Sequence, residues 1–89
     1  MKAKMIVLFA DWCSICNMMM PIVDEVQNHY GERLQVIQID VTEDWEIAES
    51  YGAQLVPTFI LYKDDCEVGR MVGMIGEKTF YQRIDRLFF

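Results

Sequence analysis

Met5-Ile6-Val7-Leu8-Phe9-Ala10-Asp11-Trp12-Cys13-Ser14-Ile15-Cys16 is the stretch that decides the fold of this chain. Its first six residues are all apolar, which predicts a strand covered on both faces. From Ser14 onward the apolar residues recur at helical spacing, so Cys13 stands where a buried strand gives way to a helix. Free backbone N–H groups and the helix dipole at such a point stabilise a thiolate, the species that attacks disulfides. Cys16 lies one turn deeper and can reach Cys13, which suits a nucleophile and its resolving partner.

Two cysteines separated by two residues also occur in metal sites and in haem attachment sites. A structural zinc site needs four ligands, and beyond this pair the sequence offers Cys66 and His29, which nothing brings together. Haem attachment requires a histidine directly after the second cysteine, where this chain has Asn17. The total of three cysteines is odd, which argues against a secreted disulfide scaffold. We therefore expect redox chemistry at Cys13 and Cys16, with neither a metal nor a cofactor.

Strand and helix patterns alternate along the chain. The predicted strands cover residues 5–10, 34–41, 58–62 and 67–72, and the predicted helices cover residues 14–30, a short acidic segment capped by Thr42, and residues 77–88. Residues 63–66, which include Cys66, are predicted to form a hairpin turn. The order β-α-β-α-β-β-α predicts an α/β domain whose sheet carries helices on both faces and has an antiparallel hairpin at its edge.

The first predicted helix is amphipathic. Pro21 interrupts it, and we expect a kink there because proline lacks the N–H that the helix needs. Gly31 is expected to end the helix. Its apolar stripe consists of Ile15, Met19, Ile22, Val23, Val26 and Tyr30.

The composition limits the classes of function. The chain has 89 residues, of which 53% are hydrophobic and 25% are charged, which suits one globular domain over residues 1–89. The formal net charge is −6 and there is no basic run, so nucleic acids and membranes are not expected partners. The apolar run near Met5 is shorter than the core of a signal peptide, and no cleavage site follows it. We expect a monomeric, cytoplasmic domain without a targeting segment.

Five sequence features of this chain occur together in one known family. They are Phe9-Ala10-Asp11-Trp12-Cys13-Ser14-Ile15-Cys16, Pro21-Ile22-Val23-Asp24-Glu25-Val26, Tyr51-Gly52-Ala53, Val56-Pro57-Thr58-Phe59 and Val72-Gly73. On these features the chain resembles the thioredoxin family, at the size of a small thioredoxin or glutaredoxin. The resemblance runs from Met5 to the last helix, and the family's first strand and helix are expected to be lacking. It implies a minimal thioredoxin fold, with a four-stranded mixed sheet and three helices.

The resemblance implies a thiol–disulfide oxidoreductase, an enzyme of electron transport and cell redox homeostasis that reduces protein disulfides. Cys13 would attack the substrate disulfide and Cys16 would resolve the mixed disulfide, which leaves a Cys13–Cys16 redox disulfide. Pro57 would be cis and pack over the pair, and the backbone of Val56 would pair with an extended substrate segment. Further substrate contacts are expected from Trp12, Ile15, Gly73 and Met74. A dithiol reductase would supply the electrons, and no cofactor is implied.

Three positions depart from the family's pattern. The usual C-G-P-C is C-S-I-C here, and the two intervening residues tune the reduction potential. Val7 stands where many thioredoxins bury an aspartate beneath the cysteines, and Gln38 replaces the lysine that partners this aspartate. We hypothesise that no buried carboxylate assists proton transfer at Cys16, so that Cys16 gives its proton to water or to a substrate group and resolution is slow.

Other interpretations stay open at this point. The Ser-Ile dipeptide and the missing acid–lysine pair also suit a dedicated redox partner of one enzyme. A thioredoxin-fold binding module whose cysteines are incidental is a further alternative. Trp12 could serve packing alone, Pro57 could only shape a turn, and Cys66 could be an incidental exposed thiol or a site of oxidative modification.

Overall fold

The elements follow one another in the predicted order β-α-β-α-β-β-α. The computed structural model describes residues 2–89, and Met1, which the predicted domain included, lies outside them. The strands are β1 (Ala3–Phe9), β2 (Leu34–Asp40), β3 (Thr58–Lys63) and β4 (Cys66–Val72), and the helices are α1 (Ser14–Tyr30), α2 (Trp45–Ser50) and α3 (Glu77–Asp85). Short 3-10 turns, Gly31–Arg33 and Arg86–Phe88, follow α1 and α3. The last predicted helix thus changes to 3-10 geometry at Arg86.

β1 lies inside a four-stranded mixed sheet. The strand order is β2-β1-β3-β4; β1 runs parallel to β2 and antiparallel to β3, and β4 runs antiparallel to β3. A strand covered on both faces needs apolar side chains on both sides. Met5 and Val7 accordingly belong to one core cluster, and Ile6 and Leu8 belong to another. The predicted α/β class and the antiparallel hairpin at the sheet edge are confirmed.

Helices cover both faces of the sheet. α1 and α3 pack on the face of Val7, where the ring of Phe80 meets the ring of Phe59 edge-on at a centroid distance of 5.0 Å. α2 packs on the opposite face, where Ala48 is buried in the cluster of Leu8. Burial of each large apolar side chain contributes roughly 1.5–3 kcal/mol. The two layers therefore hold the end of β1, and the cysteine that follows it, in a defined place.

The buried stripe of α1 differs from the predicted one in its first turn. Ile15 is 39% exposed, while Cys16 is only 1% exposed and takes the buried position. Cys16 is in helical register with the buried residues Met19 and Val23, and Ile15 falls one residue outside that stripe. The helix continues through Pro21, which lies on its exposed side.

The loop between β2 and α2 also corrects the sequence prediction. The N-cap of α2 is Asp44, whose carboxylate accepts the N–H of Glu46 at 3.1 Å. Thr42, which was expected to cap the helix, instead accepts the N–H of Asp11 at 2.8 Å through its hydroxyl oxygen. Thr42 therefore joins the loop after β2 to the loop before α1.

The β3–β4 turn is shorter than predicted. Asp64 and Asp65 form it, with φ of 51° and 67°. Positive φ at both central residues is the type I′ geometry, which matches the twist of the paired strands. Cys66 is consequently the first residue of β4 and stands opposite Lys63. Asp64 is also tied to the start of the chain, because its carboxylate accepts the N–H of Lys2 at 2.7 Å.

Candidate active site

Cys13 is the N-cap of α1, directly after the turn that follows β1. Its backbone is extended, with φ of −93° and ψ of 108°. The N–H of Cys13 donates to the carbonyl of Ala10 at 3.3 Å, and the carbonyl of Cys13 accepts the N–H of Asn17 at 3.2 Å. The turn and the first helical hydrogen bond thus fix this cysteine at the helix N-terminus.

The sulfur of Cys13 receives a hydrogen bond from the helix backbone. The N–H of Cys16 donates to Cys13 Sγ at 3.2 Å, and the thiol of Cys13 donates to the carbonyl oxygen of Val56 at 3.6 Å. An N–H directed at the sulfur stabilises the thiolate form. Both cysteines are free thiols, and Cys13 is 8% exposed against 1% for Cys16. Cys13 is therefore the more accessible sulfur of the pair.

The thiol of Cys16 is held in its protonated form. Burial, and after it the hydrogen bond with Cys13, raise its pKa from the ordinary value of 9.0 to about 11, against a smaller opposite effect of a backbone hydrogen bond at Ala10. A thiol attacks a disulfide only as the thiolate. Cys16 must therefore lose its proton before it can react.

Val7 and Gln38 stand side by side in the sheet, as neighbours of the parallel β1–β2 pair. Val7 is fully buried among apolar residues on the α1 face. The amide of Gln38 donates to the side-chain oxygen of Gln27 in α1 at 3.3 Å. A hydrocarbon and an amide thus occupy the two positions at which the family resemblance placed an acid and a lysine. Neither side chain can accept or release a proton near neutral pH.

The loop before β3 lies against Cys13. The Val56–Pro57 peptide bond is cis and Pro57 is buried. The carbonyl of Pro57 accepts the N–H of Gly73 at 2.9 Å, and Gly73 has a φ of 81° that favours glycine. The hydroxyl of Thr58 donates to the carbonyl of Leu55 at 2.6 Å. Two separate hydrogen bonds therefore hold the loop that carries Val56 and Pro57, and the predicted cis geometry is present.

Exposed apolar side chains surround this loop and the start of α1. Trp12 is 63% exposed, which does not suit a residue that serves packing alone. Sequence reasoning named Ile15 and Met74, which are both exposed, but missed two neighbours, Leu55 and Val72. Each missed residue is adjacent in sequence to a named site residue, and this adjacency could have identified it. We call this set the apolar rim; it consists of Trp12, Ile15, Leu55, Val72 and Met74.

Trp45 is a further residue that sequence reasoning missed. Its ring lies 6.5 Å from the ring of Trp12 between centroids, at an interplanar angle of 31°. Trp45 is the first residue of α2 and is distant from Trp12 in sequence, so no local pattern connects the two. This contact supports the Trp12 ring from the side of α2.

The other residues considered from the sequence lie outside the site. The ring of His29 packs edge-on against Tyr30 and Tyr81, at 4.8 and 5.4 Å between centroids. Within residues 2–89 no three His, Cys, Asp or Glu side chains are grouped closely enough to hold a metal ion. In the same part of the chain, no helix has the length and apolar character needed to cross a membrane.

Comparison with known proteins gives one consistent family. The family profile described as Thioredoxin matches residues 1–86 of the chain. Thioredoxin 1 of Synechococcus elongatus is 31% identical over 78 residues, which are 88% of this chain and 73% of that protein. A thioredoxin-like protein of Synechocystis sp. is 37% identical over 83 residues, which are 93% of this chain and 79% of that protein. Oxidized mitochondrial thioredoxin 3 from Saccharomyces cerevisiae superposes with a TM-score of 0.84 at 27% identity, over 96% of this chain and 78% of that one.

Proposed function

Because the chain belongs to the thioredoxin family, we propose that it is a thiol–disulfide oxidoreductase that reduces disulfides of other proteins. The observation that carries the proposal is the placement of Cys13 at the N-cap of α1, with the N–H of Cys16 on its sulfur. The second thiol of the pair is buried one turn further along the helix.

The reaction proceeds in two exchanges. The thiolate of Cys13 attacks one sulfur of the substrate disulfide; a mixed disulfide forms and the other substrate sulfur leaves as a thiolate, which takes up a proton. Cys16 then loses its proton and attacks Cys13 Sγ, which releases the second substrate thiolate and forms the Cys13–Cys16 disulfide. The substrate gains two electrons and the protein loses two. A dithiol reductase returns these electrons to the pair.

Proton release from Cys16 is the step that distinguishes this chain within the proposal. The Cys16 pKa of about 11 leaves the thiol protonated at neutral pH, and Val7 and Gln38 offer no proton acceptor. The substrate thiolate that leaves in the first exchange can accept this proton, but with an ordinary thiol pKa of about 8.5 it is a weaker base than the Cys16 thiolate, so the transfer is unfavourable. We assign the proton of Cys16 to this thiolate or to water, and resolution is then slower than with a buried carboxylate.

Substrate binding uses the loop before β3 and the apolar rim. The backbone of Val56, beside Cys13, pairs with an extended substrate segment in the manner of an added strand. Backbone pairing does not depend on the side chains of the substrate, and an apolar surface can contact segments of many shapes. The arrangement therefore suits a range of protein disulfides. The contacts are assigned to Trp12, Ile15, Val56, Pro57, Gly73 and Met74.

The physiological setting forms part of the proposal. Residues 1–89 act as one domain and as a monomer, in a reducing compartment such as the cytoplasm. The direction of net electron flow is set by the reduction potential of the Cys13–Cys16 couple, measured against glutathione. A potential near that of thioredoxin, about −270 mV, supports a reductant, and a value near about −120 mV contradicts one.

Mixed-disulfide trapping tests the mechanism. In Cys16→Ser the first exchange occurs but resolution does not, so partner proteins stay linked to Cys13 and are released by dithiothreitol. Cys13→Ser is the matched control and should trap none, because its remaining thiol is buried and protonated. Trapping that is equal in both variants would contradict the assigned roles.

The same experiment separates the alternative functions. A thioredoxin-fold binding module retains its partners in both variants without a dithiothreitol-sensitive bond. A dedicated redox partner of one enzyme traps a single dominant protein, whereas a general reductase traps many. The number of trapped species therefore distinguishes the two redox functions.

A further inference from the structure

A cavity lies at the end of the sheet away from the cysteines. Its apolar floor is formed by Leu61 of β3, Val68 of β4 and Leu87 of the last 3-10 turn. The cavity has a volume of about 290 Å³. Cys13 lies near the start of β3, whereas Leu61 lies towards its end, so this cavity is separate from the active site.

Three basic side chains line the same cavity. They are Lys63, Arg83 and Arg86, and we call the cavity with these residues the basic pocket. The chain has eight Lys and Arg residues in total and a net charge of −6. Three of its few cations therefore converge on one small volume, although the molecule as a whole is acidic.

Among residues 2–89, no Asp or Glu carboxylate lies within 4.0 Å of these three cations, although Lys63 contacts a main-chain oxygen of the last residue, Phe89. The ion pairs within 4.0 Å in that part of the chain are Lys4–Asp65 and Arg70–Glu67. Clustered cations that serve only a structural role are normally paired with nearby acidic side chains. The positive charge of the basic pocket is therefore open to a ligand.

Two of the cations are held in place by backbone oxygens. A guanidinium N–H of Arg83 donates to the carbonyl of Arg70 at 3.2 Å. Lys63 Nζ donates to the main-chain oxygen of Phe89 at 3.1 Å. Each group uses one donor in this way and retains others, since arginine has five N–H donors and lysine has three. Side chains held in advance lose less conformational entropy when a ligand binds.

Gly69 leaves room for the guanidinium of Arg83. A Cβ at this position would lie 3.3 Å from Nη2 of Arg83, closer than nearly all such contacts. The φ of Gly69 is not in the left-handed region, so the backbone does not require glycine here. The absence of a side chain at Gly69 therefore leaves space for the guanidinium of Arg83 to lie against β4.

We propose that the basic pocket binds a small organic anion with two negative charges, and that a phosphate monoester is its best match. Guanidinium groups bind phosphate through parallel N–H···O bonds. The volume lies at the lower end of small-molecule sites, which run from about 300 Å³. The floor of Leu61, Val68 and Leu87 accepts the organic part of the ligand. Three positive charges in a small open pocket favour a dianion over a monoanion.

Phenyl phosphate is the probe that tests this proposal. We expect saturable shifts of the amide NMR resonances of Gly69 and Leu87 in the wild-type protein at low salt. Phenol carries the same ring without charge and should give no saturable shift. Inorganic phosphate carries the charge without the ring and should bind more weakly. Absence of a saturable response to phenyl phosphate would overturn the proposal, and equal affinity for inorganic phosphate would overturn the assignment of an organic ligand.

Charge-matched variants decide whether the pocket itself is responsible. Arg86→Gln removes an exposed cation from the pocket, and Lys78→Gln removes an exposed cation elsewhere on α3. Arg86→Gln should weaken binding by about tenfold, since hydrogen bonds to charged groups are worth about 1.5–3 kcal/mol, and Lys78→Gln should leave it nearly unchanged. Gly69→Ala, which requires the Arg83 guanidinium to move by a few tenths of an ångström, should weaken binding to a smaller extent. Equal effects of Arg86→Gln and Lys78→Gln would show a general response to net charge and would contradict the pocket.

Discussion

Cys16 is buried, and in the proposed mechanism its pKa controls the second exchange. Its pKa is raised to about 11, first of all by burial. At pH 8 only about one thiol in a thousand is then ionised, because each pH unit below the pKa lowers the thiolate fraction tenfold. The raised pKa thus lowers the resolution rate at neutral pH, and the rate recovers as the pH rises.

We predict that the rate of resolution rises about tenfold per pH unit between pH 7 and pH 10. The measurement is stopped-flow release of a chromophoric thiol from the mixed disulfide at Cys13. The first exchange, followed in Cys16→Ser, serves as the control and should have a different profile because Cys13 is its only reactant. A plateau of the resolution rate near pH 7 would show that another group removes the proton, and would contradict the assignment.

Val7 and Gln38 permit a gain-of-function test of the same step. The variant Val7→Asp with Gln38→Lys restores the acid–lysine pair that the family resemblance placed at these positions. We expect resolution at pH 7 to accelerate by about tenfold or more, because a positioned general base contributes typically 10²–10⁴-fold. Val7→Asn with Gln38→Lys has the same shape without the base and should show no acceleration. Since Val7 is fully buried, both variants should also be less stable in urea, by a similar amount.

The site residues whose placement could be predicted are those that belong to short local motifs, and their roles stay a prediction. Cys13, Cys16 and Pro57 belong to short motifs, and the structure places all of them at one end of the sheet. Trp45 was missed because its contact with Trp12 depends on how α2 packs. Spacing along the chain carries no information about such a contact.

At the scale of the elements, β1 and α1 were the most predictable parts of the fold. A continuous apolar run and a helical period that ends at Gly31 define both elements locally. The cap of α2 was mispredicted because Thr42 and Asp44 are both residue types that favour a helix N-cap. Thr42 donates its N–H and its hydroxyl to the carboxylate of Asp40, and it also accepts the N–H of Asp11 across 31 residues of sequence. Only tertiary structure supplies that partner.

The β3–β4 turn yields a stability prediction. Asp65 has a φ of 67°, and a non-glycine residue in this region is disfavoured by roughly 1–2 kcal/mol. Asp65→Gly should raise the free energy of unfolding by about 0.5–1 kcal/mol, because the loss of strain exceeds both the added chain entropy and a weak ion pair with Lys4. Urea denaturation monitored by circular dichroism measures the change.

The neighbouring aspartate provides the control for this prediction. Asp64→Gly relieves a similar backbone conformation but loses the carboxylate that accepts the N–H of Lys2. We therefore expect Asp64→Gly to stabilise the protein less than Asp65→Gly, or to destabilise it. A greater gain from Asp64→Gly would show that the hydrogen bond to Lys2 contributes nothing and would contradict the strain assigned to Asp65.

The molecule as a whole is electrically polar. From Met5 to Tyr62, the segment that includes Cys13 and Cys16, Arg33 is the only Lys or Arg residue. Asp44 and Glu46 flank Trp45, which lies beside Trp12 at the apolar rim. Five Lys and Arg residues follow Tyr62, and three of them line the basic pocket. No sequence pattern predicted this pocket, because its residues come from β3, β4, α3 and the 3-10 turn after α3. A charged substrate approaching Cys13 therefore meets a negative potential.

This potential predicts a preference among disulfides of similar size. We expect the protein to reduce cystamine, which is cationic, several-fold faster than dithiodiglycolate, which is anionic. Each rate is first divided by the rate at which dithiothreitol reduces the same disulfide. The ratio should fall as salt is added, because the Debye length shrinks from about 30 Å at 0.01 M to about 3 Å at 1 M. Opposite charge at the rim raises the local concentration of the cationic substrate and hence its association rate.

Two charge-matched variants separate this local effect from net charge. Glu46→Gln removes a carboxylate beside the rim, and Glu32→Gln removes one in the 3-10 turn at the opposite end of α1. Both substitutions change the net charge equally, so an effect of net charge alone lowers the cystamine preference equally in both. A local field lowers it more in Glu46→Gln, because the potential of an exposed charge decays within a Debye length of about 10 Å at 0.1 M salt. A preference that neither salt nor Glu46→Gln reduces would mean that Cys13 selects disulfides by shape and intrinsic reactivity rather than by charge.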